Sequence, residues 1–354
     1  MSKTVPVVAP TLEEFEIAHE NVAQVAIQTP VLHSHYLSEL IGSDVYLKCE
    51  NLQRTGAYKL RGAFNRMSKL TAAERKKGVV AASAGNHAQG VALAAKKLGI
   101  KATIFMPVGA SLPKFQATQN YGAEVVLEGA VFAETLKAAQ AYSAQKGAIF
   151  IPPYDNIDVV TGQGTVGLEI LDQVPDVQTI LVSIGGGGLA AGVAVAAKLK
   201  AAQQGRKIKV IGVQSQNAAS YVPSLKAGKE IEIKTERTIA DGIAVAKPGH
   251  IPFELIAKHI DKVVTVSDDE IAKAIVVLLE RAKQVVEPAG AAAVAALMSG
   301  AVKPKGKTVA VLSGGNIDPL LMQKIIGFGL TASERYTTIS VMLPDRPGQL
   351  VKTA

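Results

Sequence analysis

The sequence predicts an α/β protein built from mostly parallel sheets that helices cover on both faces. From about residue 44, short β-rich runs alternate with longer, alanine-rich runs typical of helices. This alternation favours parallel pairing, because a connection between neighbouring parallel strands has to cross over the sheet. Several predicted strands end in glycine-rich loops, and loops beyond the carboxyl ends of parallel strands are the usual ligand sites.

The elements follow in order along the chain. Thr11 and Glu14 have the spacing of a capping box, which predicts the start of a first helix. Strands are predicted in the runs DVYLKCE, VVAAS, ATIFMP, AEVVLE, AIFIPP, TILVSI, KIKVIGVQS, KVVTVS and TVAVLSG. Helices are predicted between several of them, for example over residues 87–98 and 132–146. The sequence shows no solenoid-type repeat.

Composition favours a soluble, cytoplasmic protein. The 354 residues are 48% hydrophobic and 19% charged, which provides ample core, and the length suggests two or three domains. Cys49 is the only cysteine, so an intramolecular disulfide is excluded and a reducing compartment fits best. The N-terminus has no long apolar run before its acidic residues, so no secretory signal is predicted.

Neither a membrane nor a nucleic acid is expected as a partner. Residues 177–197 form an uncharged run about as long as the roughly 20 residues of a membrane span. Four successive glycines interrupt it, and each costs about 1 kcal/mol in a helix relative to alanine. A strand, a glycine turn and a buried helix are predicted instead. The formal net charge is +8, but the basic residues are scattered over a solvated surface rather than clustered, and their excess favours anionic ligands.

The loop SAGNHAQG, residues 83–90, is the first candidate site. It follows a predicted strand and opens a predicted helix. The backbone N–H groups at a helix N-terminus carry about half a positive charge and suit a carboxylate or phosphate. The alternative is an ordinary turn in which Asn86 is the N-cap.

The loop SIGGGGLAAG, residues 183–192, has the same layout and a stronger signal. Four glycines leave successive amides bare and allow the backbone to wrap closely around an anion. No Gly-Lys-Ser/Thr follows, which argues against a nucleoside-triphosphate loop. A dinucleotide site is the alternative, because Gly185 and Gly187 partly match its fingerprint. The next strand ends in Gln214 and offers no acid for a ribose, so a small phosphorylated cofactor fits better.

The remaining motifs are weaker. VLSGGNIDP places Ser313 at a third strand end, with Asp318 and Pro319 as N-cap and first residue of the next helix. A glycine-rich connection with an incidental serine is the alternative. His33 and His35 lie two apart, but no cysteine or third histidine stands nearby, so no metal site is predicted. The Gly-x-Ser-x-Gly turn of serine hydrolases is absent from the sequence.

The stretch RTGAYKLRGA places Lys59 between Tyr58 and Leu60. A lysine in surroundings of low dielectric has a pKa below its reference of about 10.4, which frees the amine to form an imine with an aldehyde. Taken alone, this lysine is better explained as a side chain whose amine reaches the surface. Together with a phosphate-binding loop and a loop suited to a carboxylate, however, it suggests pyridoxal phosphate (PLP).

The motifs ENLQRTGAYKLRGA, SAGNHAQG, GGGGL and LSGGN have the order and approximate spacing of fold-type II PLP enzymes. Over about residues 10–330 the chain resembles the threonine dehydratases (threonine ammonia-lyases). The resemblance implies two open, twisted sheets of the tryptophan synthase β type. Residues 1–50 and 151–330 would form a large PLP-binding domain, and residues 51–150 a smaller, mobile substrate domain.

A weaker resemblance concerns the C-terminus. LPDRPGQL is similar to the opening of an ACT regulatory domain, so residues 331–354 are interpreted as the truncated start of such a domain. Because so short a segment cannot supply an effector-binding sheet, feedback control by isoleucine is expected to be lost.

The main resemblance implies roles in binding the cofactor. Lys59 would hold PLP as an imine, Asn86 would contact its phenolic oxygen and Ser313 its pyridine nitrogen. Where the family often has Ser-Phe before the lysine, this chain has Ala57-Tyr58, which removes one hydroxyl near the cofactor and leaves Tyr58 as an aromatic wall. The cofactor phosphate would lie on a loop of Gly185, Gly186, Gly187, Gly188 and Leu189.

It also implies roles towards the substrate. Lys59, once displaced, would remove the α-proton of the amino acid. The loop closing on the substrate carboxylate would consist of Ser83, Ala84, Gly85, Asn86 and His87, although His87 alone is interpreted as a turn residue rather than a base. Gly242, Glu287 and Gly314 would line the pocket. No metal is implied.

These roles imply conversion of L-threonine to 2-oxobutanoate and ammonia through an aminoacrylate-type intermediate, and of L-serine to pyruvate. The enzyme would be a homodimer or homotetramer that serves isoleucine biosynthesis or threonine catabolism. A serine racemase/dehydratase and a non-catalytic amino-acid sensor are the alternatives. Related racemases carry a serine where this chain has Ala84, and Gln214, Ala218 and Ser220 lack the carboxylates of their divalent-metal site. Elimination without appreciable racemisation is therefore expected.

Overall fold

Two β-sheets organise the fold, which we describe from a computed structural model that covers residues 6–337, 339–344, 346–347 and 351. The strands are β1 (Val31–His33), β2 (Val45–Lys48), β3 (Val79–Ala82), β4 (Ala102–Met106), β5 (Glu124–Leu127), β6 (Ile149–Phe150), β7 (Thr179–Ser183), β8 (Lys209–Ser215), β9 (Lys262–Val266) and β10 (Thr308–Val311). The large sheet has the order β1-β2-β10-β7-β8-β9, and the small sheet has the order β5-β4-β3-β6.

The pairing within both sheets is parallel, as predicted, with one difference. β1 pairs antiparallel with β2 at the edge of the large sheet, and this strand of three residues was not predicted. Residues 177–197 form β7, the glycine loop and the start of a buried helix, which confirms that interpretation. Of the helices in the described residues, none combines the length and the apolar composition that a membrane crossing requires.

The helices cover both sheets. They are α1 (Leu12–Ala23), α2 (His35–Ile41), α3 (Lys59–Ser68), α4 (Ala72–Lys77), α5 (Asn86–Leu98), α6 (Leu112–Asn120), α7 (Phe132–Lys146), α8 (Ile157–Gln173), α9 (Gly188–Gln203), α10 (Tyr221–Ala227), α11 (His250–His259), α12 (Asp268–Val277), α13 (Pro288–Met298) and α14 (Pro319–Ala332). The predicted capping box of Thr11 and Glu14 starts α1, and the side chain of Asp318 caps α14. Asn86 is the first residue of α5 rather than its N-cap, which is Gly85.

The chain passes between the sheets twice. After β1 and β2 it leaves the large sheet, forms the small sheet with β3 to β6, and returns at residues 151–156 to complete the large sheet. The small sheet therefore falls within the predicted substrate domain of residues 51–150, whose boundaries and mobility stay predictions.

Helices α8 and α9 form the centre of the molecule. A Cβ atom on Gly192 of α9 would lie 2.3 Å from the carbonyl oxygen of Val160 in α8, so the two backbones are in direct contact. From Gly188 to Ala197, α9 is buried on all sides, as expected of a helix that lies inside a protein. This contact fixes the N-terminus of α9, which follows the glycine loop.

A buried cluster of four charged side chains lies beneath α3. The guanidinium of Arg61, 1% exposed, donates from Nε to Glu50 at 2.8 Å and from Nη1 to Glu169 at 2.6 Å. Lys48 donates to the other oxygen of Glu169. The four charges balance, which is the condition under which ions are tolerated in an interior. The cluster ties α3 to β2 and α8, and it corrects the interpretation of the basic residues as a solvated surface at Lys48 and Arg61.

The C-terminal segment ends the described structure. Residues 336–337 and 339–344 contain no strand. Of the LPDRPGQL motif, Asp345, Gly348, Gln349 and Leu350 lie outside the described residues.

Candidate active site

A cavity of about 890 Å³ lies at the carboxyl ends of strands from both sheets, the position expected for a ligand site in open parallel sheets. Loops that follow β3, β4, β7 and β10 contribute to its wall. The cavity brings together almost the whole predicted site, namely Tyr58, Lys59, Ser83, Ala84, Gly85, Asn86, His87, Gly185, Gly186, Gly187, Gly188, Leu189, Gly242, Glu287 and Ser313. Gly314 is the exception and lies behind the wall, where a Cβ would come within 2.4 Å of Glu287 Oε1.

Lys59 is the first residue of α3 and lies half-buried on the cavity wall. Its Nζ donates to the carbonyl oxygen of Pro153 at 2.8 Å and lies 5.2 Å from the centre of the Tyr58 ring. Removal from bulk water lowers the pKa of Lys59 to about 8, and the negative charge of Glu287 partly opposes this effect. A far larger fraction of the amine is therefore neutral near neutral pH than in an ordinary lysine, as the sequence suggested.

Covalent attachment of PLP is expected to become faster as the pH rises through about 8, the pKa of Lys59, because only the neutral amine attacks the aldehyde. Glu287→Gln removes the charge that raises this pKa and should shift the midpoint to lower pH. The rate of growth of visible absorbance, after PLP is mixed with cofactor-free protein at a series of pH values, measures both midpoints. A wild-type midpoint near 10.5, the ordinary value for lysine, would contradict the assignment.

The glycine loop approaches its neighbours so closely that side chains are excluded. A Cβ on Gly186 would lie 2.3 Å from the ring of Tyr154, and a Cβ on Gly187 would lie 2.0 Å from the hydroxyl of Tyr221. Gly187 also has φ 98°, a left-handed conformation that favours glycine. The loop leads directly into α9, so backbone N–H groups and the positive end of the helix dipole meet there. This arrangement fits the phosphate of the predicted cofactor.

Ser313 follows β10 at the base of the cavity and is 3% exposed. Its Oγ accepts a hydrogen bond at 3.2 Å from the Oγ of Ser183, the last residue of β7. The carbonyl of Ser313 accepts the N–H of Tyr58 at 3.2 Å, which ties this loop to the start of α3. A neutral hydroxyl therefore lies in the same cavity as the lysine and the glycine loop, as the resemblance requires.

Asn86 and Glu287 form a polar network that connects the start of α5 to the large-sheet side. Asn86 Nδ2 donates to Glu287 Oε1 at 2.6 Å, and Asn316 Nδ2 donates to Asn86 Oδ1 at 2.8 Å. Burial, reinforced by Asp241, raises the pKa of Glu287 to about 7, against the hydrogen bond from Asn86. Glu287 can therefore change its protonation state near neutral pH, which the sequence did not indicate. Asn316 was also missed, although it ends the LSGGN motif.

His87 is buried on α5 and does not act as a turn residue. Its Nε2 lies 2.8 Å from the carbonyl oxygen of Ile151. Because a carbonyl only accepts, Nε2 carries the proton. Burial, with the nearby positive charge of Lys59, lowers the pKa of His87 to about 3. The ring therefore stays neutral and does not exchange protons at ordinary pH, in line with the expectation that His87 is not a base.

The contacts of residues 151–156, the second passage between the sheets, were not predicted from the sequence, and the strand predicted over AIFIPP ends at Phe150. Pro153 accepts from Lys59, Tyr154 packs against the glycine loop, and Asp155 accepts the N–H groups of His250 and Ile251. Backbone carbonyls have no sequence signature, so nothing in IPPYDN indicated these contacts.

A second missed feature lies at the cavity wall. Lys114 of α6 and Asp241 of the large-sheet side form an ion pair at 3.7 Å, and both line the cavity. Within the described residues, no group of three or more His, Cys, Asp or Glu side chains could hold a metal ion.

Comparison with known proteins gives a consistent result. The family model of the pyridoxal-phosphate dependent enzymes matches residues 22–314. An L-threonine ammonia-lyase from Thermotoga maritima is 49% identical over 341 residues, which cover 96% of this chain and 84% of that protein. A processed threonine deaminase isoform 2 from Solanum lycopersicum has a TM-score of 0.84 at 37% identity, covering 93% of this chain and 99% of that one. The structure of maize serine racemase has a TM-score of 0.85 at 33% identity, covering 92% of this chain and 100% of that one.

Proposed function

Because the chain belongs to the family of pyridoxal-phosphate dependent enzymes, we propose that it is a threonine ammonia-lyase that converts L-threonine to 2-oxobutanoate and ammonia, and L-serine to pyruvate and ammonia. The observation that carries the proposal is the position of the Lys59 amine in one cavity with a side-chain-free glycine loop and a neutral serine. The similarity to proteins named L-threonine ammonia-lyase and threonine deaminase supports the choice of substrate.

Each group in the cavity has a proposed role. PLP, when bound, supplies an aldehyde for covalent attachment and a ring that withdraws electrons from the substrate α-carbon. The glycine loop would bind the phosphate, Asn86 would contact the phenolic oxygen, and Ser313 would contact the pyridine nitrogen. Since the hydroxyl of Ser313 is neutral, it would stabilise less charge there than a carboxylate, which would favour elimination over transamination.

The substrate is positioned from the small-sheet side. The residues from Ser83 to His87 bring the N-terminus of α5 to the cavity, and its N–H groups suit the α-carboxylate. The amine of Lys59 then accepts the α-proton. Its pKa of about 8 suits this role, because a base with a pKa near the working pH is both available and strong enough. The carbonyl of Pro153 holds Nζ on the cavity wall. With one proton the β-hydroxyl leaves as water, and the released enamine takes up one water to give the 2-oxo acid and ammonia.

The direct test is an assay of 2-oxo acid formation from threonine and serine by the PLP-loaded protein. Production of 2-oxobutanoate with release of an equal amount of ammonia is expected. A protein with the visible absorbance of lysine-bound PLP but without turnover would contradict the proposal. A protein without that absorbance that binds amino acids would favour the alternative of a non-catalytic sensor.

Racemisation is the second candidate function, and the similarity to maize serine racemase favours it. Ala84 lines the cavity with a methyl group, so it cannot donate a proton to the α-carbon from the side opposite Lys59. We therefore expect negligible D-serine from the unmodified protein.

Ala84→Ser should raise the ratio of racemisation to elimination, since a well-placed acid contributes about 10²–10⁴-fold. Chiral chromatography of residual serine measures the ratio. Formation of D-serine by the unmodified protein at a rate comparable to pyruvate would replace the lyase proposal with the racemase one.

We further propose that the enzyme works in the cytoplasm as a homodimer or homotetramer, in isoleucine biosynthesis or threonine catabolism. The buried thiol of the single cysteine, Cys49, supports a reducing compartment. Exposed apolar side chains on α14, such as Leu320 at 70% and Phe328 at 46%, support an association between copies. A shift of the threonine saturation curve on titration with isoleucine would favour the biosynthetic role and would contradict the expected loss of feedback control.

A further inference from the structure

We propose that Tyr221 is a positioning residue for the cofactor phosphate: its hydroxyl holds the carbonyl of Gly186 away from the cavity and thereby directs the N–H of Gly187 towards the phosphate. The inference rests on the proposed function, since it assumes that the glycine loop binds PLP. It assigns a role to a residue 35 positions after Gly186 in the sequence, at the start of α10.

The geometry begins with the carbonyl oxygen of Gly186, which accepts two hydrogen bonds. The hydroxyl of Tyr221 donates to it at 3.1 Å, and the N–H of Gly249 donates to it at 3.2 Å. Tyr221 is fully buried, so no bulk water competes for this carbonyl from its side. The pKa of Tyr221 lies well above its ordinary value because of burial, so the hydroxyl keeps its proton and remains a donor.

The orientation of the next amide follows from the peptide bond. The carbonyl of Gly186 and the N–H of Gly187 belong to one planar trans unit, in which the two groups point in opposite directions. With the oxygen held on the side of Tyr221, the N–H points to the other side. Gly187 lines the cavity, so this amide is set as a donor before any anion binds. A donor fixed in advance avoids the cost of ordering the loop on binding.

Tyr221 is itself held in place. The side-chain oxygen of Gln214 accepts the N–H of Tyr221 at 2.9 Å, and its Nε2 donates to the carbonyl of Ala218 at 3.4 Å. Gln214 is fully buried at the end of β8. A hydrogen-bonded path therefore runs from β8 through Gln214 and Tyr221 to the glycine loop. The sequence analysis noted Gln214 only because it is not an acid. In the structure its two side-chain hydrogen bonds hold the start of α10 in place.

The test compares PLP with pyridoxal, which lacks the phosphate. Tyr221→Phe keeps the ring and removes the hydroxyl. We expect it to weaken PLP binding to the cofactor-free protein by about fivefold, the effect of one hydrogen bond, and to change pyridoxal binding by less than about twofold. Dissociation constants come from titrations of visible absorbance. Tyr121→Phe is the matched control, because the Tyr121 hydroxyl also donates to a backbone carbonyl, that of Arg54 at 3.0 Å, away from the glycine loop.

Each outcome decides the inference. Equal weakening of PLP and pyridoxal, or no weakening of either, would overturn it. Thermal unfolding of the cofactor-free variants shows whether the fold is intact. If Tyr221→Phe does not fold, Gln214→Leu takes its place, because it removes the side chain that holds the start of α10. It is expected to weaken the binding of PLP more than that of pyridoxal. Equal weakening of both by Gln214→Leu would also overturn the inference. Failure of the unmodified protein to bind PLP would instead refute the proposed function.

Discussion

Replacement of Lys59 by alanine is expected to lower the turnover of threonine by about 10⁴-fold, because one amine provides both the covalent link and the base. The expectation rests on the position of Nζ in the cavity, next to the Tyr58 ring and hydrogen-bonded to Pro153. PLP should still bind non-covalently, because the glycine loop and Ser313 are unchanged. The visible spectrum should therefore become that of the free aldehyde rather than that of a lysine-bound cofactor.

Borohydride reduction followed by peptide mapping identifies the linked lysine. In the unmodified protein the label should lie on Lys59. Lys114→Ala is the matched control, since Lys114 also lines the cavity, and this variant should retain the label on Lys59. A label on any other lysine would refute the assignment.

Arg61→Leu is expected to lower the free energy of unfolding by about 3–5 kcal/mol, the usual cost of removing one partner from a buried ion pair. Glu50 and Glu169 would be left in the interior with only Lys48 to balance them. The midpoint of denaturant unfolding, measured on the cofactor-free protein, reports the loss. Because α3 carries both Arg61 and Lys59, cofactor attachment should weaken as well.

An exposed ion pair provides the control for this prediction. Lys69 is the C-cap of α3, the helix that carries Arg61. Its amine lies 2.7 Å from the carboxylate of Asp158, and 42% of its side chain is exposed. Lys69→Ala should cost no more than about 1 kcal/mol, because solvent screens such pairs. Equal losses in the two variants would show that the cluster beneath α3 is no more important than a surface pair.

Much of the fold could be predicted because its signals are local. β7, the glycine loop and the start of α9 appear in one stretch of sequence, and the turn chemistry of glycine marks their boundary. The capping box of Thr11 and Glu14 is equally local. β1 was missed because three residues are too few to show a period.

The missed parts of the site depend on contacts between distant segments. Whether Arg61 is buried depends on Glu169, 108 residues away, and nothing around Arg61 distinguishes it from a surface arginine. The carbonyl of Pro153 and the hydroxyl of Tyr221 act through positions that only the folded chain defines. The motifs that line the cavity could therefore be found from the sequence, but the side chains that hold them in place could not.

The two passages of the chain between the sheets have a mechanical consequence. The first passage carries Lys59, and the second carries Pro153 and Tyr154, which contact that lysine and the glycine loop. A rotation of one sheet against the other would act on these contacts, because in the described residues the chain connects the sheets only at these two passages. Ligand binding and rotation are then coupled. A ligand that binds more tightly at one angle between the sheets stabilises that angle by the difference in its binding free energy. A cofactor linked to Lys59, as proposed, should therefore change its fluorescence when an amino acid binds and the angle between the sheets changes.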